Sequence, residues 1–288
     1  MEKLDVIEER QKLNLSDYPV QEISELIKKM PPIAILLTDY HHTKDIERAV
    51  NNTKSEPEFS QVSRLSYKPA KYNTNFQRAS TPKTTMFYGA VISELLDEKE
   101  KRNARIVGSG EVSTLMRSNE ILEGKSRITF GKWRVVEKIS LATIIDLTKV
   151  YEQPYLNQLK DKYLDFIKNE SQEIQNNTIR FLSYYSSEFS KYVNAGQNHE
   201  YLISSLLTEI MVQKGFDGVI YPSVQTSGYG LCVAIRSEVA DQKLRLIKVL
   251  QSQIIKTQGI DESEFLISNE KNCLIGENAT EFKLVEIK

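Results

Sequence analysis

The stretch YLISSLLTEIMVQKGFDGVIYPS, residues 201–223, decides the fold class of this chain. Its first part, read from His199, is an amphipathic helix that Gly215 ends. FDGVIYPS then reads as a buried strand running into a turn. A helix feeding a buried strand implies a sheet covered by helices, and the flanks extend that pattern. Downstream, GLCVAI is another strand, and LRLIKVLQSQII, EFLIS and FKLVEIK alternate as edge strands or hairpins do. Upstream, residues 151–196 have helical periodicity, with Tyr155, Leu159, Tyr163, Phe166 and Ile167 as packing positions.

Further upstream, RITFGKWRVVEKISLATIIDL reads as two strands and ARIVGSGEVSTLMR as a helix, with its GSG at 108–110 a close-packing point or irregularity. SRLSY reads as a short strand, PAKYNTNFQRASTPK as a turn-rich loop and TTMFYGAV as a strand. In the first 58 residues, Val20, Ile23, Leu26 and Ile27 mark a helix ended by Pro31-Pro32. A short apolar piece, IAILL, follows, and HHTKDIERAVNN reads as a polar helix. The expectation is an α+β protein. Residues 1–58 form a helical extension, 59–240 a central domain with a helical insertion at about 151–196, and 241–288 strands packed on that domain.

Composition narrows the function classes. The 288 residues are 40% apolar and 27% charged with a formal net charge of -1, so no global basic field favours nucleic acid. Lys68, Lys71, Arg78 and Lys83 fall close together, a concentration suited to a small phosphate-bearing ligand. The two cysteines, Cys232 and Cys273, sit in apolar or strand-like segments and read as buried free thiols of a reducing compartment. MEKLDVIEERQKLNL lacks the apolar centre of a signal peptide, and the longest apolar stretch, residues 33–37, is too short to span a membrane. A cytoplasmic location is expected.

The commoner catalytic constellations are missing. The only histidines are His41, His42 and His199, and no Cys/His/Asp/Glu spacing resembles a metal site. Adjacent His41 and His42 point apart on either a helix or a strand and read as surface residues. Neither G-x-G-x-x-G nor G-x-x-x-x-G-K-[ST] occurs, which removes the main support for nucleotide-binding loops of those types.

Two segments stand out instead: FQRASTPKTTMFYGA, in which Tyr88 follows Arg78 by ten residues, and the 201–223 segment that finishes at Ser223. In order and spacing, Arg78, Tyr88, Asp217-Gly218-Val219 and Ser223 resemble the pattern of the RES family. The resemblance covers roughly residues 60–240. It implies a fold like that of ADP-ribosyltransferases, with a two-sheet core and NAD⁺ bound between the sheets. It also implies a toxin-like enzyme that hydrolyses or phosphorolyses NAD⁺, or that ADP-ribosylates a protein. A helical Xre-type antitoxin would be the partner; no cofactor, direct nucleic-acid contact or membrane is implied. A catalytically inactive interaction protein that keeps the fold is the alternative from another class.

The resemblance implies Arg78, Tyr88 and Glu111 as catalytic residues. NAD⁺ would be bound by Arg78, Arg64, Tyr88, Ser80 and Ser223. A guanidinium suits a pyrophosphate because its planar, permanently charged fork donates in pairs. Tyr88 would offer a ring face and a hydroxyl to the nicotinamide or ribose. Asp217 more naturally braces the Gly218 turn. Where compact relatives carry the glutamate, this chain has Lys99, and the charged insertion EKEKRNAR displaces the next candidate to Glu111; Glu94, Glu98 and Glu100 compete for the role. Ser80 stands where many relatives have Asn, and Gly230 lies near another expected Asn.

Overall fold

The longest ladders are made by the alternating C-terminal segments. A computed structural model describes residues 5–42, 44–91, 103–118, 120–194, 196–223, 230–258 and 263–287. Glu94, Glu98, Lys99 and Glu100 lie outside the described residues. The strands are β1 (Leu37–Tyr40), β2 (Asp45–Asn51), β3 (Met86–Val91), β4 (Gly124–Val135), β5 (Ile139–Thr143), β6 (Gly218–Pro222), β7 (Leu231–Arg236), β8 (Leu244–Gln258), β9 (Ser263–Leu274) and β10 (Val285–Glu286). The helices are α1 (Val6–Gln11), α2 (Val20–Lys28), α3 (Asn103–Val112), α4 (Thr114–Arg117), α5 (Pro154–Ile167), α6 (Gln172–Phe189), α7 (Leu202–Gln213) and α8 (Ser237–Lys243). The protein is α+β, as its sequence predicts.

Hydrogen bonding links the strands in the order β1-β5-β6-β7-β3-β2-β4-β8-β9-β10. Among the described strands, only β5 and β6 run parallel. The two sheets expected from the sequence are thus one continuous ladder, but it narrows sharply in the middle. β2 pairs with β4 along all of Asp45–Asn51, yet its described pairs with β3 are Ile46 with Val91 and Glu47 with Ala90. Beyond Glu47 the two strands part. Gly89 permits the close approach just before they separate, since a Cβ there would lie 2.5 Å from the Ile46 Cγ2 and 3.3 Å from the Glu47 carbonyl.

The half-sheet on the β1 side is covered on both faces, which is why its strands read as apolar runs. Successive side chains point to opposite faces. Ala142, Val219 and Ala234 therefore join a core with Ile23, Tyr163, Phe181 and Leu207 from α2, α5, α6 and α7. Leu141, Ile220 and Val233 join the opposite core with Leu65, Trp133 and Val239. The predicted helices of residues 151–196 form as α5 and α6, starting at Pro154 and at the Ser171 cap. Tyr163 and Ile167 are buried as expected, whereas Phe166 remains exposed.

Several expectations fail locally. HHTKDIERAVNN contains strand β2, not a helix, so the first 58 residues supply strands to the middle and one edge of the sheet. Ordinary alternation is hidden there because polar Glu47 and Arg48 occupy inward positions beside Ile46 and Ala49. SRLSY forms a 3-10 turn over Val62–Leu65. β8 is an interior strand paired on both sides, and α8 was not anticipated. Cys232 is buried, but Cys273 is only partly so.

Gly218 begins β6 where Asp217 braces the chain. The Asp217 carboxylate accepts from the Ser140 amide at 3.0 Å and from Lys243 Nζ at 2.9 Å. A Cβ on Gly218 would lie 2.0 Å from the Ala234 carbonyl oxygen, inside the β6/β7 ladder. Gly218→Ala is expected to cost about 3 kcal/mol, through backbone displacement in a buried strand. Urea denaturation of the purified variant checks this, and parental stability would contradict the close approach.

Candidate active site

Where β2 leaves β3, a cavity of about 430 Å³ opens, lined by Arg78, Tyr88, Glu111, Arg48, Glu47 and Tyr201 among others. Its size is that of a small-molecule site. Three residues from separate parts of the sequence meet here. Arg78 comes from the loop before β3, Tyr88 from β3 and Glu111 from the end of α3.

Arg78 is buried, at 7% exposure, rather than an arginine on an open loop. Its Nη1 donates to the Phe189 carbonyl, and its Nη2 donates to the Lys191 carbonyl at 3.1 Å. Phe189 ends α6, so the guanidinium satisfies a carbonyl that the helix leaves without an internal partner and meets the negative end of its dipole. The Tyr201 ring lies beneath it, with Cζ 5.2 Å from the ring centroid. The helical insertion thus fixes the orientation of Arg78 at the cavity wall.

Tyr88 is held through its hydroxyl. It shares a 2.7 Å hydrogen bond with Ser80 Oγ and accepts from the Ala79 amide at 3.1 Å. Burial pushes the phenol up to about 12 against the opposing effect of those bonds. Ser80 is buried and absent from the cavity lining, so it positions Tyr88 instead of facing a ligand.

Glu111 sits in the last turn of α3, where a carboxylate opposes the helix dipole. Ser223 Oγ donates to its Oε1 at 3.0 Å, and the Cys232 thiol is a weaker donor to the same oxygen at 3.8 Å. Ser223 is buried behind the carboxylate, outside the lining. The expected donation from Ser223 to a ligand oxygen is therefore replaced by orientation of Glu111. Burial first, and the nearby Glu111 charge second, push the Cys232 thiol well up, so it stays protonated. The α3 backbone comes close enough for this because Gly108 faces Ala49, where a Cβ would lie 3.2 Å from the Ala49 Cβ.

Arg64 is not brought to this cavity. Its Nε donates to Glu56 Oε1 at 2.7 Å, and its guanidinium lies over Phe59 at 4.9 Å. Of the basic cluster noted in the sequence, Lys68 and Arg78 reach the cavity, while Lys71 and Lys83 do not line it.

Sequence reasoning missed Arg48. Its Nη1 donates to the Tyr88 carbonyl at 2.7 Å, and its Cζ lies 5.4 Å from the Phe87 ring centroid. Its Nε has no hydrogen-bond partner among the described residues. Burial lowers its pKa to about 10, which leaves it charged at neutral pH. The misreading of β2 as a surface helix concealed it, and no motif marked it. Glu47 was missed for the same reason. It pairs with Arg105 Nε at 3.2 Å, and burial raises its carboxyl despite that cation. Tyr201 stood inside the quoted helix segment but carried no site signal.

Among the described residues, no group of three or more His, Cys, Asp or Glu could hold a metal ion, and no helix is long and apolar enough to cross a membrane. His41 and His42 are exposed. No protein-family model matches the chain, and no curated protein matches it significantly.

The Tyr88 environment has a pH signature. Its folded pKa lies above the ordinary value of about 10, so the unfolded chain releases its phenolic proton first. The stability from this group is complete below about pH 10 and is lost as pH rises toward the folded value. Tyr88→Phe should be less stable at neutral pH by about 1 kcal/mol, from the lost hydrogen bonds. Its further loss between about pH 9 and about pH 11 should be smaller than the parent's by about 1 kcal/mol. Urea denaturation at both pH values measures the difference, and identical slopes would contradict the buried phenol.

Proposed function

We propose that this chain is an NAD⁺-consuming enzyme of RES type, with an ADP-ribosyltransferase-like arrangement of its two half-sheets around the cavity. The observation that carries the reading is the convergence of Arg78, Tyr88 and Glu111 on one cavity, with Ser223 bonded to the carboxylate. That constellation suits a ligand with an anionic linker and a labile glycosidic bond. A guanidinium faces the linker, a phenol ring offers an apolar face, and an oriented carboxylate supplies negative charge.

Cleavage of the nicotinamide–ribose bond fits this inventory. The bonding electron pair leaves with the pyridinium nitrogen, and nicotinamide departs neutral without needing a general acid. A glycosidase needs a second carboxyl for that protonation. Charge develops instead on the ribose as an oxocarbenium ion, which Glu111 stabilises. One ion pair at about 4 Å is worth roughly 4 kcal/mol at an effective dielectric of 20, a useful share of such a barrier. Water or inorganic phosphate then forms the new bond to the anomeric carbon, and water gives up a proton as it does so. The rigid hold on Glu111 by Ser223 lowers the reorganisation that the transition state requires.

Incubation of the purified protein with NAD⁺, with and without phosphate, is expected to release nicotinamide. The second product is ADP-ribose with water as acceptor and its 1″-phosphate with inorganic phosphate. Glu111→Gln should lower kcat by about 10²-fold or more while NAD⁺ still binds. Ser223→Ala should lower it less, by about tenfold, because it acts through the carboxylate. Parental turnover in Glu111→Gln would reject the assignment of the site.

A further inference from the structure

A second, larger cavity of about 1360 Å³ lies on the other side of the seam. It is lined by residues of the 3-10 turn before Tyr67, by the Tyr72 ring, by the start of β8 and by the loop around Asn278. The two cavities share two side chains, Arg48 and Lys68. Among the described residues neither cation has a carboxylate partner.

For Arg48 that is an expensive arrangement. Arg48 is only partly exposed, and a charge drawn out of water without a counterion is unfavourable unless something compensates it. Among the described residues its compensation is one backbone carbonyl and the face of Phe87. Two unpaired cations where two hollows meet make an anion site with a compartment on either side. The larger compartment also offers a recognition surface. Tyr72 is 55% exposed although it lines the cavity; Lys71 Nζ lies over its ring, 4.9 Å from the centroid, and the opposite ring face is the one offered for stacking. Asn278 and Thr280 line the same wall and can bond to sugar or base polar atoms.

We propose that the two cavities form one dinucleotide groove: the pyrophosphate lies at Arg48 and Lys68, the nicotinamide riboside half faces Glu111, and the adenosine half occupies the second cavity against Tyr72. This inference rests on the NAD⁺ reading of the first cavity and assigns the other end of that substrate. The groove crosses from one half-sheet to the other at the point where β2 and β3 part. Arg48 and Lys68 thereby share the pyrophosphate with Arg78, which lines the same cavity and whose guanidinium is partly committed to the end of α6.

The test is calorimetric titration with ADP, which carries the adenosine and pyrophosphate but no nicotinamide. The parent is expected to bind it. Tyr72→Ala and Lys68→Met, both at exposed positions, should each weaken ADP binding by about tenfold, as loss of base stacking or of a phosphate contact does. Absence of ADP binding, or ADP binding unchanged in both Tyr72→Ala and Lys68→Met, overturns the groove. NAD⁺ cleavage with ADP binding insensitive to both variants rejects the groove and leaves the chemistry standing. ADP binding with the expected sensitivities but no NAD⁺ cleavage keeps the groove and rejects the chemistry.

Discussion

The parting of β2 from β3 is the constraint on which the site depends. β2 pairs with β4 along all of Asp45–Asn51, whereas its described pairs with β3 are confined to Ile46 and Glu47. β3 is equally committed to β7 along Met86–Val91. β2 thus pairs mainly within one half-sheet and β3 within the other, and a gap opens where the two part. The end of α3 packs into that gap, close against Ala49, and Arg48 reaches across it to the Tyr88 carbonyl. A pocket with mixed polar and apolar walls is what remains.

The polar residues around the cavity divide by function into a wall and its supports. Arg78, Tyr88 and Glu111 form the wall, and each is fixed by a partner behind it: the end of α6, Ser80 and Ser223. Such supports limit rotamer freedom and hold a charge pattern in place before any ligand arrives. The helical insertion has a physical role in this. Its second helix, α6, buries Phe181, Leu182 and Tyr185 in the core and presents its terminal carbonyl to Arg78. Core packing therefore transmits directly to the orientation of a charged group at the site.

Three residues that share the cavity, Arg78, Tyr88 and Glu111, were singled out in the sequence through the resemblance to the RES family and their placement along the chain. Arg78 stands beside a proline turn, Tyr88 ten residues later in a strand, and Ser223 at the end of a helix–strand unit. Glu111 was recognisable because apolar positions surround it, in contrast to the dense charge of residues 94–101. Arg48 was not legible. Its neighbourhood, DIERAVN, has the polarity of a surface helix, and strand pairing with RITFGKWRV overrides that local preference. Arg64 misled in the opposite way. It lines the second cavity rather than the first, with its guanidinium paired to Glu56, eight residues earlier.

By itself, the sequence determined the elements whose apolar period is strong: α2, α5, α6 and α7, and the strands that follow Gly215 and Gly230. Local physics suffices there, because burial of a periodic face selects one secondary structure. Only the tertiary structure decided which polar residues share a cavity, that Ser80 and Ser223 stand behind the wall, and that β2 is a strand. Those outcomes depend on contacts between residues far apart in the chain. A single residue's polarity does not encode them, since the same arginine is a surface group, a helix cap or an anion ligand according to what packs around it.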